Sequence, residues 1–122
     1  MGALDGIRVI ELGNMITGPL CCMLLADQGA EVIKVENPKG GDLFRSWRGG
    51  TYSAQFGAYN RNKRSMALNL RHEEGRSILL DLVETADVLM ENYRPGVMEK
   101  LGLDLETLRA RNPNLIYCSI TG

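Results

Sequence analysis

Apolar positions in the first third of the chain follow a strand pattern, then a helix pattern, then a strand pattern again. Val9, Ile10 and Leu12 form a short apolar run that is typical of a strand buried on both faces. The following helical stripe consists of Leu20, Met23 and Leu24, with Cys21 and Leu25 less strictly placed. Glu31–Glu36 is a second run, rich in β-branched residues. This pattern predicts two parallel strands joined by a right-handed helical crossover.

The rest of the chain alternates between the same two patterns. The predicted elements are a short helix over residues 51–59, a third strand over 65–70, a helix over 72–84, a fourth strand over 86–91, a short helix over 97–101, a helix from the capping residue Asp104 to about Arg111, and a fifth strand over 115–120. The side chains expected to face inward from the helices are Ile78, Leu79, Leu82, Val83, Leu105 and Leu108. This order predicts an α/β domain with a mostly parallel sheet.

The loop over residues 13–18, called here the first loop, is the first candidate for a ligand contact. It follows the first strand, and ligands of parallel sheets bind beyond the carboxyl ends of the strands. Glu36 ends the second strand, where an acidic residue often binds a ribose hydroxyl. However, Gly13 and Gly18 do not form the G-x-G-x-x-G motif, and Pro19 removes an amide from the helix start. A structural role, in which the glycines only shape a turn, explains this loop at least as well as dinucleotide binding does.

The composition is that of an ordinary globular domain. The 122 residues suffice for one compact domain, with 44% hydrophobic and 24% charged residues. The net charge of −1 gives no overall bias toward nucleic acid or acidic membranes. No apolar run approaches the length of a membrane span, and the N-terminus lacks the pattern of a signal peptide. We therefore expect a cytoplasmic protein without nucleic-acid or membrane partners.

Few residues in this chain are suited to metal binding or to thiol chemistry. Cys21, Cys22 and Cys118 form no C-x-x-C pair and are interpreted as small buried residues in a reducing compartment. His72 is the only histidine, so a structural zinc site is not expected. Five cations lie close together in sequence: Arg61, Lys63, Arg64, Arg71 and Arg76. They form either a phosphate-binding patch or a solvated basic surface.

Several separated motifs also occur in a particular order. They are LDGIRVIE at residues 4–11, GP at 18–19, LADQGAEVIKVE at 25–36, GD at 41–42, NKRS at 62–65, ADV at 86–88, ENYRPG at 91–96 and LIY at 115–117. This set resembles the N-terminal part of the class III CoA-transferases, the family of the formyl-CoA:oxalate and carnitine CoA-transferases. Alpha-methylacyl-CoA racemase shares the same fold and motifs.

The resemblance implies a Rossmann-like sheet with helices on both faces, which binds coenzyme A, and an interlocked homodimer. Its substrates would be an acyl-CoA and a carboxylic acid acceptor. From the residues themselves we expect no metal. In the transferases an aspartate attacks the thioester, and CoA then passes through an aspartyl-CoA intermediate to the acceptor. The family places that aspartate, and a Gly-Phe-Gly loop, C-terminal to Gly122. We therefore expect residues 1–122 to be the CoA-binding segment of a longer protein, with no catalytic residue and no activity alone.

The resemblance also assigns candidate contacts to coenzyme A. Asn14, Ile16 and Thr17 match a loop near the thioester and the pantetheine arm. The stretch of Ala67, Leu68, Asn69 and Leu70 matches one that borders the adenine and ribose, and Arg71 follows it as a phosphate partner. Asn92 matches an asparagine at the CoA and is flanked by Tyr93 and Arg94.

Two further candidate contacts, Asn37 and Lys100, depart from the pattern of the family. Asn37 stands where many members have an arginine for the CoA phosphates, and Lys39 or Arg45 would compensate for it. Lys100 stands where some members have an arginine. Since an arginine binds phosphate through two parallel hydrogen bonds and a lysine acts as a point charge, both departures alter the expected phosphate contact.

Two alternatives remain at this point. A 2-methylacyl-CoA racemase would use the corresponding aspartate and a histidine near the Gly-Phe-Gly loop as an acid/base pair. A non-enzymatic domain would instead bind a nucleotide, or serve only in oligomerisation, without catalysing a reaction. The acyl donor and acceptor cannot be assigned from this segment, because the family selects the acceptor with residues outside it.

Overall fold

Five short strands form one parallel sheet in the computed structural model, which describes residues 1–122. The strands are β1 (Arg8–Glu11), β2 (Glu31–Glu36), β3 (Lys63–Ala67), β4 (Val88–Glu91) and β5 (Ile116–Ser119). Their order in the sheet is β3-β2-β1-β4-β5, and every neighbouring pair is parallel. The chain thus extends the sheet first on one side of β1 and then on the other, which creates a topological switch point between β1 and β4. The expected α/β architecture is confirmed.

Five helices complete the alternation of strand and helix. They are α1 (Thr17–Asp27), α2 (Ala54–Tyr59), α3 (Glu73–Glu84), α4 (Val97–Lys100) and α5 (Leu105–Arg111). Most of these elements begin or end within a few residues of the predicted bounds, and His72 is the N-cap residue of α3. The helices α3 and α5 are also joined at the surface, where Arg111 forms ion pairs with Asp81 and Glu84.

The sheet separates two apolar clusters, which confirms that helices cover both of its faces. Val9 of β1 packs with Cys22 and Ala26 of α1 on one face. The adjacent residue Ile10 packs on the other face, in the larger cluster formed with α3, α4 and α5. Because successive strand residues point to opposite faces, short apolar runs without alternation suit these doubly covered strands.

The third strand begins earlier and ends earlier than the predicted 65–70. It runs over Lys63–Ala67, and Lys63 pairs with Val32 in the sheet register. Apolar alternation indicated a strand up to Leu70, but the chain leaves the sheet after Ala67, and Leu70 reaches the core from outside the strand. The early start was missed because Lys63 is polar, yet its side chain is 2% exposed, since the ammonium group lies against a buried carboxylate.

The predicted inward face of α1 is partly wrong. The residues buried against the sheet are Gly18, Pro19, Cys22, Met23 and Ala26. Leu24 is 51% exposed, although its spacing placed it on the buried stripe. Because this helix is apolar on most sides, periodicity does not identify the face that packs, and the small residues allow the closest approach to the sheet.

Two other apolar side chains that were predicted to face inward, Ile78 and Leu105, lie at the surface. Ile78 of α3 is 44% exposed and Leu105 of α5 is 39% exposed, whereas their neighbours Leu79 and Leu108 are fully buried. Both exposed residues lie at the border of an amphipathic stripe, where one helical position changes a side chain from core to surface.

Candidate functional site

A pocket of about 190 Å³, called here the strand-end pocket, lies beyond the carboxyl ends of the strands. The segments that follow β1, β2, β3 and β4 all contribute to its wall. Its apolar side consists of Val35, Leu68, Leu70, Val97, Leu101 and the ring of Tyr93, and its polar side of Gly13, Asn14, Glu36, Asn37, Gly41, Asp42, Asn69 and Arg71. The pocket therefore combines an apolar surface with amide and charged groups, as small-molecule sites usually do.

Seven of the thirteen residues expected from the sequence line this pocket: Asn14, Asn37, Leu68, Asn69, Leu70, Arg71 and Tyr93. The other six do not line it: Ile16, Thr17, Ala67, Asn92, Arg94 and Lys100. Each of these six lies one to three positions along the chain from a lining residue. The structure thus brings together segments far apart in sequence, and it divides the expected residues into a lining group and a surrounding group.

Asn14 and Asn92 link the first loop to the segment after β4. The backbone N–H of Asn14 donates to Oδ1 of Asn92 at 2.8 Å, and Nδ2 of Asn92 donates back to the carbonyl oxygen of Asn14 at 2.9 Å. The same Nδ2 lies 3.1 Å from Oγ1 of Thr17. The amide of Asn92 therefore donates within the protein and closes the loop against the start of α1.

The two glycines of the first loop are required by close packing. A Cβ atom on Gly13 or on Gly18 would lie 2.9 Å from Cε of Met90. The two glycines also face each other, since a Cβ on Gly18 would lie 3.0 Å from the Cα of Gly13. Between them Met15 has a positive φ of 65°, which is uncommon for a residue other than glycine. These glycines therefore shape a tight turn, which agrees with the structural interpretation of the sequence pattern.

A buried group of four charges, called here the charge cluster, lies directly beneath the first loop. It consists of Glu11, Lys34, Asp42 and Lys63, whose side chains are at most 2% exposed. Lys34 Nζ lies 2.9 Å from Oε1 of Glu11 and 2.8 Å from Oδ2 of Asp42. Lys63 Nζ lies 2.8 Å from Oε2 of Glu11. The cluster contains two positive and two negative groups, so it is neutral as a whole.

The remaining hydrogen-bonding capacity of the charge cluster is used on backbone groups. Lys34 donates to the carbonyl oxygen of Gly13 at 3.1 Å, and Lys63 donates to that of Pro19 at 2.8 Å. Glu11 Oε2 and Asp42 Oδ2 meet their lysines as close ion contacts that lack the angles of a hydrogen bond. Burial lowers the pKa of Lys63, and Glu11 opposes that shift. Burying such charges is tolerable only with this degree of pairing.

Sequence reasoning missed the charge cluster, although one signal was present. Lys34 interrupts a strand that is otherwise apolar between Val32 and Val35, and such a strand is buried on both faces. A lysine there requires a buried partner. The partner residues Glu11 and Asp42 are remote in sequence, so the pattern could indicate that a partner exists but could not identify it.

Glu36 is occupied by protein donors and is not free to bind a ribose hydroxyl. Its carboxylate accepts from Arg45 Nε at 2.7 Å and Arg45 Nη2 at 2.8 Å, from the backbone N–H of Asp42 at 2.9 Å, and from the hydroxyl of Ser65. Burial opposes ionisation, but these hydrogen bonds prevail and lower the pKa of Glu36 to about 2. The acidic residue of the dinucleotide hypothesis thus has a structural role.

The same contact changes the expectation for Arg45. Arg45 was a candidate to replace the phosphate contact missing at Asn37, but its guanidinium forms two hydrogen bonds with Glu36 and lies 4.0 Å from the ring centroid of Phe56. Lys39, the other candidate, lies on the exposed loop after β2 and makes no ion pair.

The basic residues that cluster in sequence do not form one patch. Arg61 pairs with Asp27, Arg64 with Glu31, and Lys63 with Glu11. Arg76 donates to the carbonyl oxygens of Leu70 and Arg71. Neither Arg71 nor Arg76 makes an ion pair, but only Arg71 lines the strand-end pocket.

Unpaired cations nevertheless collect around the strand-end pocket. Lys39, Arg71, Arg94 and Lys100 follow the carboxyl ends of β2, β3 and β4, and each is exposed without a carboxylate partner. Such a group of like charges raises the local concentration of anions. This edge of the sheet is therefore suited to a ligand that carries several negative charges.

Tyr93 adds a neutral donor to the pocket. Its backbone N–H donates to Oε2 of Glu91 at 2.9 Å, which holds the residue at the end of β4. Burial, followed by the charge of Glu91, raises the pKa of Tyr93 to about 12. Its hydroxyl group makes no hydrogen bond within the protein. The phenol therefore stays protonated at neutral pH and can donate to a ligand.

The remaining candidates for metal or thiol chemistry are spread through the fold. Cys22 is fully buried, and burial strongly raises the pKa of its thiol, whereas Cys21 and Cys118 are half-buried. His72 is exposed at the start of α3 and forms no side-chain cap. No group of three or more histidine, cysteine or acidic side chains is arranged to hold a metal ion. None of the helices combines the length and the apolar character needed to cross a membrane.

Comparison with known proteins gives consistent matches over the whole chain. The sequence profile of CoA-transferase family III matches residues 4–122. The chain is 51% identical to a succinyl-CoA:mesaconate CoA-transferase of Haloarcula marismortui, over 100% of this chain and 32% of that protein. It is 50% identical to a succinate–glutarate CoA-transferase of Agrobacterium fabrum (98% and 32%) and 43% identical to the human succinyl-CoA:glutarate CoA-transferase (98% and 28%). The chain thus spans about a third of the length of these curated relatives.

Solved structures agree with this match. A CAIB/BAIF family protein from Brucella suis superposes with a TM-score of 0.93 at 48% identity, over 99% of this chain and 34% of that one. A hypothetical protein from Mycobacterium tuberculosis superposes with a TM-score of 0.89 at 46% identity, over 100% and 34%.

Proposed function

Because the chain belongs to CoA-transferase family III, we propose that it is the N-terminal coenzyme A-binding part of an enzyme that moves CoA between carboxylic acids. The supporting observation is the strand-end pocket, which combines an apolar wall with unpaired cations. Coenzyme A combines an apolar pantetheine arm and an adenine ring with three phosphate groups. Both halves of the ligand therefore find a matching surface at this edge of the sheet.

Arg71 is the leading candidate for a phosphate contact. It lines the pocket, it has no carboxylate partner, and a guanidinium can bind phosphate through two parallel hydrogen bonds. Lys39, Arg94 and Lys100 each lie within two positions of a residue that lines the pocket, and they would add electrostatic attraction for the phosphates. Asn37 supplies an amide in place of an arginine, so in this protein the phosphates depend more on the segment after β3.

The apolar wall suits the organic part of the ligand. Leu68 and Leu70 line the pocket beside Val97 and Leu101 of the α4 segment, and the phenol of Tyr93 offers a hydrogen-bond donor. A cavity of about 190 Å³ is smaller than the roughly 300–1,000 Å³ of sites for drug-sized ligands, so it holds only part of a CoA molecule. We expect the rest to extend over the first loop and toward residues outside this chain.

The chemical step requires a residue that this chain does not supply. In the proposed reaction an aspartate of the longer protein attacks the acyl-CoA thioester, which forms a mixed anhydride and releases CoA as the thiolate. The thiolate then attacks the aspartyl carbonyl, releases the donor acid, and forms an aspartyl-CoA thioester. The acceptor carboxylate attacks that thioester in turn, and the returning thiolate converts the second anhydride into the new acyl-CoA. In this proposal the chain binds and orients CoA throughout the reaction. The longer protein is proposed to be a cytoplasmic homodimer.

The donor and acceptor follow from the relatives as proposals. The transferases named above share a succinyl or succinate substrate, which supports succinyl-CoA as the donor. The other acid named for these transferases is mesaconate in one and glutarate in the other. Their matched segments are nevertheless almost equally similar to this chain, at 51% and 50% identity. Since almost equal similarity accompanies different acceptors, we infer that the acceptor is a dicarboxylic acid selected mainly outside residues 1–122.

A transfer assay with the full-length protein tests the proposal. Succinyl-CoA is incubated with mesaconate, glutarate or malate, and the acyl-CoA products are separated by chromatography. We expect a new acyl-CoA with at least one acid, and none from residues 1–122 alone. Calorimetry provides the binding test, in which CoA should bind and NAD should not. Binding of NAD without CoA, or epimerisation of a 2-methylacyl-CoA without any transfer, would overturn the proposal.

A further inference from the structure

We propose that Asp42 and Asn92 are positioning residues, which hold the first loop in one conformation before the ligand arrives, and that Lys34 fixes Asp42 in that role. The inference rests on the proposed function, because it assumes that the first loop orients bound CoA. It also changes the role that the resemblance gave to Asn92, from a ligand contact to a support of the loop.

Asn92 has no free N–H group to offer a ligand. Its Nδ2 carries two hydrogens and lies within hydrogen-bonding distance of two acceptors, the carbonyl oxygen of Asn14 and Oγ1 of Thr17. Its Oδ1 accepts the backbone N–H of Asn14. This position therefore needs a donor and an acceptor on the same planar group, which an amide supplies and a carboxylate does not.

Asp42 meets the opposite requirement. Its Oδ1 accepts the backbone N–H groups of Met15 at 3.1 Å and Phe44 at 2.9 Å, and its Oδ2 faces Lys34 Nζ at 2.8 Å. Donors thus surround both oxygens of a side chain that is 2% exposed as a residue. This position needs two acceptors, which a carboxylate supplies and an amide does not.

The two side chains together hold the strained part of the loop. Asn92 binds both backbone polar groups of Asn14, and Asp42 binds the N–H of Met15, whose φ is 65°. Lys34 adds a hydrogen bond to the carbonyl oxygen of Gly13. Three consecutive residues of the loop are therefore tied to side chains from the segments after β2 and β4 and from β2 itself. A backbone in this sparsely populated region persists only when its surroundings determine it.

The different hydrogen-bonding requirements at positions 42 and 92 determine which substitutions test the proposal. In Asn92→Asp the shape is kept, but an acceptor faces the carbonyl oxygen of Asn14. In Asp42→Asn an N–H₂ group must face either Lys34 or the N–H of Met15, whichever way the amide turns. Each variant thus introduces one mismatch without changing volume. Asp81→Asn at the surface, where the carboxylate is 68% exposed, is the matched control.

Two measurements on the full-length protein separate the loop from the chemistry. Hydrogen–deuterium exchange should become at least tenfold faster at the amides of residues 14 and 15 in both variants, and should stay unchanged in Asp81→Asn. In the transfer assay we expect kcat to fall on the order of a hundredfold with KM for acyl-CoA nearly unchanged, since a displacement of about 1 Å is enough for such a loss. A merely destabilised protein would lose active enzyme without this pattern of exchange.

Each outcome decides one part of the inference. Unchanged exchange at residues 14 and 15 would show that these side chains do not hold the loop, even if activity falls. Faster exchange with unchanged kcat would show that the loop does not orient CoA. Absence of CoA transfer by the unsubstituted protein would overturn the proposed function. Hydrogen–deuterium exchange would still test whether Asp42 and Asn92 hold the first loop. Asn92→Asp lies in a half-buried position, so it remains informative if Asp42→Asn fails to fold.

Discussion

The buried contact between Glu36 and Arg45 makes a measurable contribution to stability that depends on pH. Glu36 is 5% exposed as a side chain and accepts four hydrogen bonds, two of them from the guanidinium. In Glu36→Gln the volume is kept, but the charge is removed and an N–H₂ group must face donors. We expect this single change to destabilise the domain strongly at neutral pH.

The magnitude follows from the pKa of Glu36. Folding lowers the pKa of Glu36 from 4.5 to about 2, and each pKa unit corresponds to about 1.4 kcal/mol. The charge of Glu36 therefore stabilises the folded state by about 3 kcal/mol at neutral pH. The partial exposure of Arg45, at 27%, makes this figure an upper value for the ionic part. An unmatched amide adds to the loss in the variant.

The sign of the pH dependence is determined by the direction of this shift. Because the pKa is lowered in the folded state, the stabilisation is complete above about pH 4.5 and is lost as the pH falls toward about 2. We expect the free energy of unfolding of the wild type to exceed that of Glu36→Gln by about 3 kcal/mol at pH 7. The difference should shrink steadily between pH 4.5 and 2. Urea unfolding followed by far-ultraviolet circular dichroism measures it.

Glu31→Gln is the matched control for this experiment. Glu31 begins the same strand and pairs with Arg8 and Arg64, but its side chain is 35% exposed. Exposed ion pairs contribute about 0–1 kcal/mol, so this variant should lose little stability. A difference between wild type and Glu36→Gln that stays constant from pH 7 to pH 2 would refute the reasoning, because the charge of Glu36 would then contribute nothing.

Three further predictions concern the pocket, the packing and the thiols. Arg71→Ala and Lys100→Ala should each weaken CoA binding measured by calorimetry, and the loss should be larger at low salt, because screening weakens the attraction of cations for phosphate. Gly75→Ala should destabilise the domain by about 1–3 kcal/mol in urea unfolding, because the added Cβ would lie 2.0 Å from the carbonyl oxygen of Asn69. Cys22 should resist alkylation in the native protein, since burial raises the pKa of its thiol, and mass spectrometry of peptides reports the modification.

Each of these predictions has an internal comparison. Arg109→Ala removes an exposed cation of α5 that is not part of the pocket wall, and CoA affinity should not change. Gly57→Ala places its Cβ 3.2 Å from the hydroxyl end of Tyr52, which is exposed and has room to shift, so the change should be tolerated. Urea-unfolded chain should be alkylated at Cys22 at once. Equal affinities for Arg71→Ala and wild type, or rapid native labelling of Cys22, would contradict the site and the packing described above.

The sequence predicted the architecture because its main signals are local. The β-branched run of β2 and the apolar run of β1 each indicate a strand by themselves, and the glycine-containing connections suit a parallel crossover. The inward face of α1 was not predictable in the same way, since Leu24 and Cys22 are both apolar and only tertiary packing selects between them. The start of β3 was missed because the partner that buries Lys63 lies on another strand.

The candidate site was predictable only through the resemblance. Motifs located Asn14 and Asn92, but no local pattern indicates that these residues, 78 positions apart, bind each other. The same limit applies to the five basic residues that are close in sequence, of which only Arg71 both lacks an ion pair and lines the pocket. Pairing across the sheet decides which charge is free, and pairing is a property of the fold.

The charge cluster also has a consequence for how the strands find their alignment. Glu11 and Lys34 are direct partners in the β1–β2 register, and Lys63 reaches the same carboxylate from β3. A slip of one residue would turn every side chain of a strand to the opposite face and would leave a lysine among apolar groups. An unpaired buried charge of this kind costs about 3–5 kcal/mol, which is a large share of the stability of a small domain. The strands β1 and β2, with four and six residues and interchangeable valines and isoleucines, would otherwise tolerate several alignments. The buried lysines thus fix the register of β1, β2 and β3, the part of the sheet next to the first loop.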